Sequence, residues 1–532
     1  MNDCNLTYIA NYAFVSLENL KNLELSGNML ITTDWSSVLD YLPRLEYLDL
    51  RNAGIKHLPE IVFSNNTYLR TLILAENELS DIDVAQTLGK LQQLDSLDLS
   101  FCNLTLPLSE DSFINATKIR SLYLSGNSLF ASDLLVALAP LSNLEKLSLS
   151  NCGLTRLPDT FRNFKSLQEL DISHNPLNDA FVKLLTPLDK LEYLNMGYSN
   201  LSYIAPTSFL KMTNMKRLVL TGNDLYSLEA GVFGNLTKLE SLELNFCGLR
   251  RPINATLFFN NLTYTDLKEL QLAGNPLQFS KSGPLLPKQL SRLEKLDLSN
   301  CDLTFLPPDA FYWTRNITTL ILSGNHFSTP DNLQFLELLP KLKVLDLRYN
   351  NLSRFSPKYV LENPDVEKLK LVGNPWKCDC TVAELWDWAN LEKGGLGILE
   401  GATLSPEHVT AGKTKRKNLL ICSYDTKLPL PVITNKTVPG RRPFIKSQRV
   451  LTSTNRTWAK YVRESGCEFP ILQRSPRAAS DSYSSELETN SWAAAAIKAG
   501  VVYITLMTII GFVFVLTKKR RITRSAAFDK NN

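Results

Sequence analysis

The chain has 532 residues and a formal net charge of +4, and 44% of it is hydrophobic. That length exceeds one compact core, so the chain must divide into domains or run as a linear array of small units. So small a net charge selects no partner by sign.

Met1 stands inside a pattern rather than at its head. Met1-Asn-Asp-Cys-Asn-Leu6 is the tail of a unit, and neither a charged start, an apolar run nor a cleavage site is present. A truncated or incomplete start is expected, lacking signal sequence and N-terminal cap, with the leucines of the first coil facing water.

The pattern is clearest in Leu94-Gln-Gln-Leu-Asp-Ser-Leu-Asp-Leu-Ser-Phe-Cys-Asn-Leu104 and returns as Leu144 to Leu154, Leu239 to Leu249, Leu293 to Leu303 and Leu342 to Leu352. The slot of Cys102 recurs as Asn28, Ala53, Asn77, Cys102, Asn127, Cys152, Asn175, Ser199, Asn223, Cys247, Asn275, Cys301, Asn325, Asn350 and Asn374. Neighbours lie about 24 residues apart. In Leu97-Asp98-Leu99 the alternation is that of a strand with one buried face, leucines inward and Ser96, Asp98 and Ser100 outward. The slot needs a side chain that satisfies backbone groups where the chain turns away; Asn does so with its amide, Cys more weakly.

Over roughly the first 375 residues the chain therefore resembles the leucine-rich-repeat family. The resemblance implies an α/β fold: a right-handed solenoid with a curved parallel sheet on its concave face. Residues 1–374 form the solenoid, about fifteen full repeats after a partial first.

Repeats from Cys152, Ser199 and Cys301 continue with Leu157-Pro158, Ala205-Pro206 or Leu306-Pro307 and then Phe161, Phe209 or Phe311. Those from Asn28, Asn127, Asn175 and Asn325 continue with Asp34, Asp133, Asp179 or Asp331, which read as N-caps of short helical turns.

After Asn374 comes Pro-Trp-Lys-Cys378-Asp-Cys380, then Glu384-Leu-Trp386-Asp-Trp388. This resembles the cysteine-rich cap that closes extracellular domains of the same family, here residues 375–469. The resemblance implies the pairs Cys378–Cys422 and Cys380–Cys467, with loops about twice the usual length. Of nine cysteines, the other five (Cys4, Cys102, Cys152, Cys247, Cys301) fall in the repeating slot and read as buried free thiols. Thr426 to Arg463 carries nine basic residues and no acid, among them Arg441 and Arg442. It reads as a solvated loop or as a docking patch for acidic glycans, anionic lipid headgroups or an acidic protein.

Residues 470–492 read as a polar stalk. Within 493–516, Ala499 to Leu516 is an uncharged apolar run, about 27 Å as a helix, and with Ala493 to Ile497 it exceeds the bilayer core. Lys518-Lys-Arg-Arg521 then places the tail, 517–532, in the cytoplasm. The expectation is a single-pass plasma-membrane protein with its ectodomain outside. Twelve Asn-x-Ser/Thr sequons fit secretory passage: Asn5, Asn65, Asn103, Asn115, Asn200, Asn235, Asn254, Asn261, Asn316, Asn351, Asn435 and Asn455.

No phosphate loop, metal-spaced His/Cys set or Ser/His/Asp grouping appears; His174 and His326 flank slot asparagines in ordinary repeat turns, and a structural role suffices for these and for His57 and His408. An enzyme, a cofactor and a nucleic-acid partner are not expected. Recognition is, through the outward row between the strand leucines. Its candidate ligand contacts are Asp49, Asp98, Tyr123, Asp171, Glu243, Asp297 and Asp346, with Tyr193 beside them. The expected function is an adhesion molecule or receptor that binds an extracellular or cell-surface protein and has no signalling domain of its own. The alternatives are a co-receptor resembling a Toll-type ectodomain, or a matrix anchor that binds glycans through the basic insertion.

Overall fold

The structure is a computed structural model. It describes residues 1–104, 108–177, 179–226, 228–251, 253, 265–356, 358–361, 365–377, 379–391, 399–400, 421–423 and 456–457. Each repeat contributes a three-residue strand, from Asn22–Glu24 to Lys368–Lys370, and consecutive strands pair in parallel. Leucine sits opposite leucine throughout, as in Leu97 against Leu122 and Leu122 against Leu147. The result is an open, curved sheet with its strands in sequence order.

The period-two pattern is what builds it. In Ser96–Asp98 the central Leu97 is buried while Ser96 and Asp98 are half-exposed, and the other strands repeat this with small variations. A single coil would leave its leucines wet, whereas a neighbour on each side buries them, worth about 1.5–3 kcal/mol per side chain.

The recurring slot does the backbone accounting. Asn127 donates through Nδ2 to the carbonyls of Leu99 (2.9 Å) and Leu124 (2.8 Å). Its Oδ1 accepts from the N–H groups of Cys102 (3.2 Å) and Leu104 (3.1 Å). Where the slot holds Cys102, the thiol donates to the Leu74 carbonyl at 3.2 Å but cannot match the amide as an acceptor. The preceding coil then turns to the slot's own carbonyl: Leu79 N–H donates to Cys102 O at 2.9 Å. Asn and Cys thus serve as two solutions of one problem. Cys4 occupies the slot too, its N–H donating to Asn28 Oδ1 at 3.1 Å, but it is exposed while Cys102, Cys152, Cys247 and Cys301 are buried. Slot position alone does not bury a thiol; a coil on each side does.

The first coil is only partly wet. Leu6 and Leu20 are partly buried and Ile9 and Phe14 are buried, while Tyr8, Tyr12, Val15 and Leu17 are exposed.

On the convex side, Asp34 caps the helix Trp35–Leu39, its carboxylate accepting from Ser37. Asp83, which the sequence reading passed over, caps Val84–Leu88 in the same way. Two other expected caps are corrected. Asp133 lies inside the first turn of Ala131–Ala137, whose cap position is Phe130. Asp179 opens a 3-10 turn and reaches the next coil, accepting from Ser202 N–H (2.9 Å), Ser202 Oγ (2.8 Å) and Tyr203 N–H (3.2 Å). The side chain of Asp331 is outside the described residues. Phe161, Phe209 and Phe311 are all buried.

Past the repeats, Leu399–Glu400 adds a further parallel strand beside Lys368–Lys370. Trp376–Lys377 pairs in parallel with Ile421–Ser423, which pairs antiparallel with Arg456–Thr457. Trp376 is buried and donates its indole N–H to the Leu371 carbonyl at 3.1 Å. Asp379 accepts from Thr381 and Val382 N–H at the start of the helix Cys380–Leu391, and its carboxylate meets Arg354 at 2.5 Å. Cys380 is disulfide-bonded. Among the described residues no helix is long and apolar enough to cross a membrane. The expected stalk, span and tail, with Cys378, Cys467, Asn254, Asn261, Asn435 and Asn455 and most of the basic insertion, lie outside those residues.

Candidate ligand-binding face

The concave sheet presents three outward columns: the first and last residue of each strand, and the residue two further on. In the central column the acids serve the turn that follows. Oδ1 of Asp49, Asp98, Asp171, Asp297 and Asp346 accepts the N–H of Arg51, Ser100, Ser173, Ser299 and Arg348 respectively, at 2.8–3.1 Å. Asn195 does the same for Gly197 at 3.0 Å without a charge. The acid in Leu-Asp-Leu is therefore first a cap for its own turn.

The remaining carboxylate capacity is mostly spoken for by basic side chains of the other columns. Arg51 reaches across one coil to Asp98 at 3.3 Å. Arg217 holds Glu243 at 2.6 Å, and its guanidinium lies 5.7 Å from the Tyr193 ring centre. Asp346 is 3% exposed and is gripped by Arg348 through Nε (2.9 Å) and the terminal nitrogen (2.6 Å), so it lies under its partner instead of facing a ligand. Glu169 meets Lys146 at 2.8 Å, and Glu269 meets Lys295. Although burial opposes it, hydrogen bonds from Lys295 and Gln271 hold the Glu269 carboxyl below the usual carboxylate range. Burial and then Asp171 push the Tyr193 phenol up, with Arg217 opposing.

Three acids stand apart: Asp49 takes only the Arg51 N–H and, among the described residues, meets no basic side chain. Asp171 accepts from Ser173 Oγ (2.6 Å) and Asn195 Nδ2 (3.1 Å), and Asp297 from Ser299 Oγ (2.7 Å). Among the described residues these partners carry no charge. The expected acidic stripe is thus a mosaic in which Asp49, Asp171 and Asp297 keep their field.

Between Asp98 and Asp171 the floor is built of small hydroxyls. Ser125 Oγ lies 2.6 Å from Ser148 Oγ and Ser150 Oγ 2.9 Å from Ser173 Oγ. Tyr123 stands half-exposed over this shelf, on the strand that pairs with both the Asp98 and the Ser148 strands. Sequence reasoning found the row but missed the shelf and the arginines. The signal was present two residues either side of the row, where Ser121, Ser125, Arg51 and Arg217 sit in register. Among the described residues no three His, Cys, Asp or Glu side chains are grouped to hold a metal ion.

Comparison with known proteins agrees with this architecture. The model of a leucine-rich repeat region matches residues 109–370, and that of a leucine-rich repeat matches 43–104 and 67–129. Podocan-like protein 1 of Mus musculus is 32% identical over 358 residues, covering 61% of this chain and 62% of that protein. The ribonuclease inhibitor of Sus scrofa is 33% identical over 308 residues, covering 53% and 58%. The chain thus spans less than two thirds of either relative. Among solved structures, the ectodomain of the plant membrane receptor kinase GASSHO1/SCHENGEN3 from Arabidopsis thaliana, in complex with Casparian strip integrity factor 2, superposes with a TM-score of 0.51. It is 26% identical, covering 71% of this chain and 44% of that one. The chain belongs to the leucine-rich-repeat family.

Proposed function

We propose that this protein is a single-pass cell-surface glycoprotein, an adhesion molecule or receptor that binds a protein ligand on its concave sheet and catalyses nothing. The observation that carries the reading is the face itself. A continuous curved sheet offers one aromatic over a hydroxyl shelf, Tyr123, and a second packed with a guanidinium, Tyr193 with Arg217. Tyrosine and arginine are the side chains that anchor protein interfaces, giving large contact area with a polar end. Relatives support it: one is named for inhibiting ribonuclease, and the plant ectodomain is seen with its factor. The apolar run at 499–516 with the basic residues after it supports the membrane span. The pairing of Trp376 with Cys422 in neighbouring strands supports a Cys378–Cys422 bridge, which leaves Cys380 for Cys467.

The test displays the full chain on cells and screens it against a library of cell-surface and secreted proteins, with an external protease assay on a C-terminal tag. A ligand lost with Tyr123→Ala but kept after heparinase supports the reading. An externally cleaved tag, or binding lost only on heparinase treatment, overturns it in favour of another topology or the glycan-binding anchor.

A further inference from the structure

Among the described residues, six of the sequons share one local spacing, an aromatic residue two positions before the Asn: Phe63–Asn65, Phe101–Asn103, Phe113–Asn115, Tyr198–Asn200, Phe233–Asn235 and Tyr349–Asn351. The fold divides them. Phe63, Phe113 and Phe233 come from the convex side and are buried in the core. Phe101, Tyr198 and Tyr349 leave the sheet in the turn just before the recurring slot and are 54%, 48% and 58% exposed.

These three rings share an unusual backbone. Phe101, Tyr198 and Tyr349 have φ of +55°, +51° and +54°, a region that bulky residues rarely enter and that Gly126, Gly222 and Gly373 occupy at the equivalent place one coil later. Each ring lies against that next glycine, where an added Cβ would collide with it. One face is thereby covered by the next coil, and the other turns toward the preceding coil. There Tyr198 meets His174, stacked at 4.7 Å and 13°. Phe101 and Tyr349 have no such ring: their counterparts one coil earlier are Glu76 and Gly324. The Asn side chains are exposed as well. Gly153, which stands where Asn103 does in its own turn, has nothing within 4 Å of an added Cβ, so a substituent there enters open space.

We propose that Phe101 and Tyr349 are stacking platforms for the first N-acetylglucosamine of glycans on Asn103 and Asn351. The inference rests on reading these sequons as glycosylated. A pyranose ring has an apolar face of C–H groups that suits the electron-rich face of an aromatic ring. The glycan would cover the outer face of a half-exposed ring, which meets no other ring among the described residues, and fix the sugar's direction at the rim of the concave sheet. Tyr198 is excluded because His174 already occupies its free face. Phe246 is an open ring with no sequon, since Gly248 stands two residues on.

The experiment uses the full chain from a glycosylating animal cell line. Glycopeptide mass spectrometry first reads occupancy. The glycans are then trimmed to a single N-acetylglucosamine, and hydroxyl-radical oxidation of each ring is compared with that in Asn103→Gln, Asn200→Gln and Asn351→Gln. With the single sugar, oxidation of Phe101 and Tyr349 should fall more than about twofold, as the one ring face left open by the next coil becomes covered. Tyr198 and Phe246 should not change. Occupied sites with equal oxidation overturn the stacking and leave the glycosylation reading intact. Protection of Tyr198 as strong as that of Phe101 overturns it too, since it signals shading by bulk. Unoccupied Asn103 and Asn351 overturn both readings.

Discussion

At the scale of single residues, this fold depends on how one buried slot handles four backbone groups. Asn127 is 1% exposed and bonds all four, so Asn127→Ala would orphan two N–H groups and the Leu99 carbonyl away from water and leave the Leu124 carbonyl only the Cys152 thiol, at 3.3 Å. At about 1 kcal/mol for each bond or more, the expected loss is about 3–4 kcal/mol, measurable as a shift of the urea midpoint. Cys102→Ser should cost far less, because Ser199 already fills the slot and donates to the Ile172 carbonyl at 3.3 Å. Burial pushes the thiols up, to about 12 for Cys102, Cys247 and Cys301 and about 11 for Cys152, from an ordinary value of 9.0. An unfolded thiol releases its proton first, so the unfolded state binds fewer protons between pH 9 and 12 and stability falls through that window. Below pH 9 the thiols are protonated in both states and contribute no slope. The steep alkaline fall should flatten in a variant with all four replaced by Ser; an identical slope would mean that these groups do not govern it. By the same burial, iodoacetamide at neutral pH should label Cys4 in the native chain and leave the four buried thiols until denaturant is added.

At the scale of elements, two aspartates with one sequence reading have separate fates. Asp34 accepts from Ser37 and caps its helix, so Asp34→Ala should cost about 1 kcal/mol. Asp133 makes no cap bond, and Asp133→Ala should change the melting temperature little. Equal losses would refute the distinction. The strands, the slot and the buried leucines were legible in the sequence because period-two alternation and a slot about every 24 residues are each local signals. The caps were less so, because a shift of the helix start, three residues in the case of Asp133, moves Asp from the cap position into the first turn. The concave face was half legible. Its central row follows from strand periodicity, but Arg51 crosses from its own coil to Asp98 two coils on, and no local pattern reports such a reach. Nor did spacing separate Phe101 from Phe63, which differ only in which side of the coil carries them.

At the scale of the whole molecule, the competition is between steering by charge and anchoring by aromatic contact. Taken from sequence, acids on alternate strands would stand about 10 Å apart, near one Debye length, and their fields would sum. The folded face removes half of that row, since Asp98, Glu243 and Asp346 are each paired with an arginine. Asp49, Asp171 and Asp297, which keep their charge, lie on strands successively five apart in the sheet, about 24 Å at 4.8 Å per strand. That is several Debye lengths at physiological salt, so each acts alone and the summed attraction for a basic ligand is modest. Tyr123, in contrast, offers a half-exposed ring above small serines, where a partner can reach it without displacing bulk. Truncating a central aromatic anchor commonly costs 2 kcal/mol or more, about thirtyfold in Kd. Once the cell-surface screen has supplied a ligand, Tyr123→Ala should therefore raise Kd by about thirtyfold through faster dissociation. Asp171→Asn with Asp297→Asn should slow association only about two- to threefold, and only at low salt. Asn195 shows that Asn keeps the turn bond at this position, so the pair removes charge and leaves the fold. If the aspartate pair proves the more costly at physiological salt, charge dominates this face and the tyrosine is not its anchor.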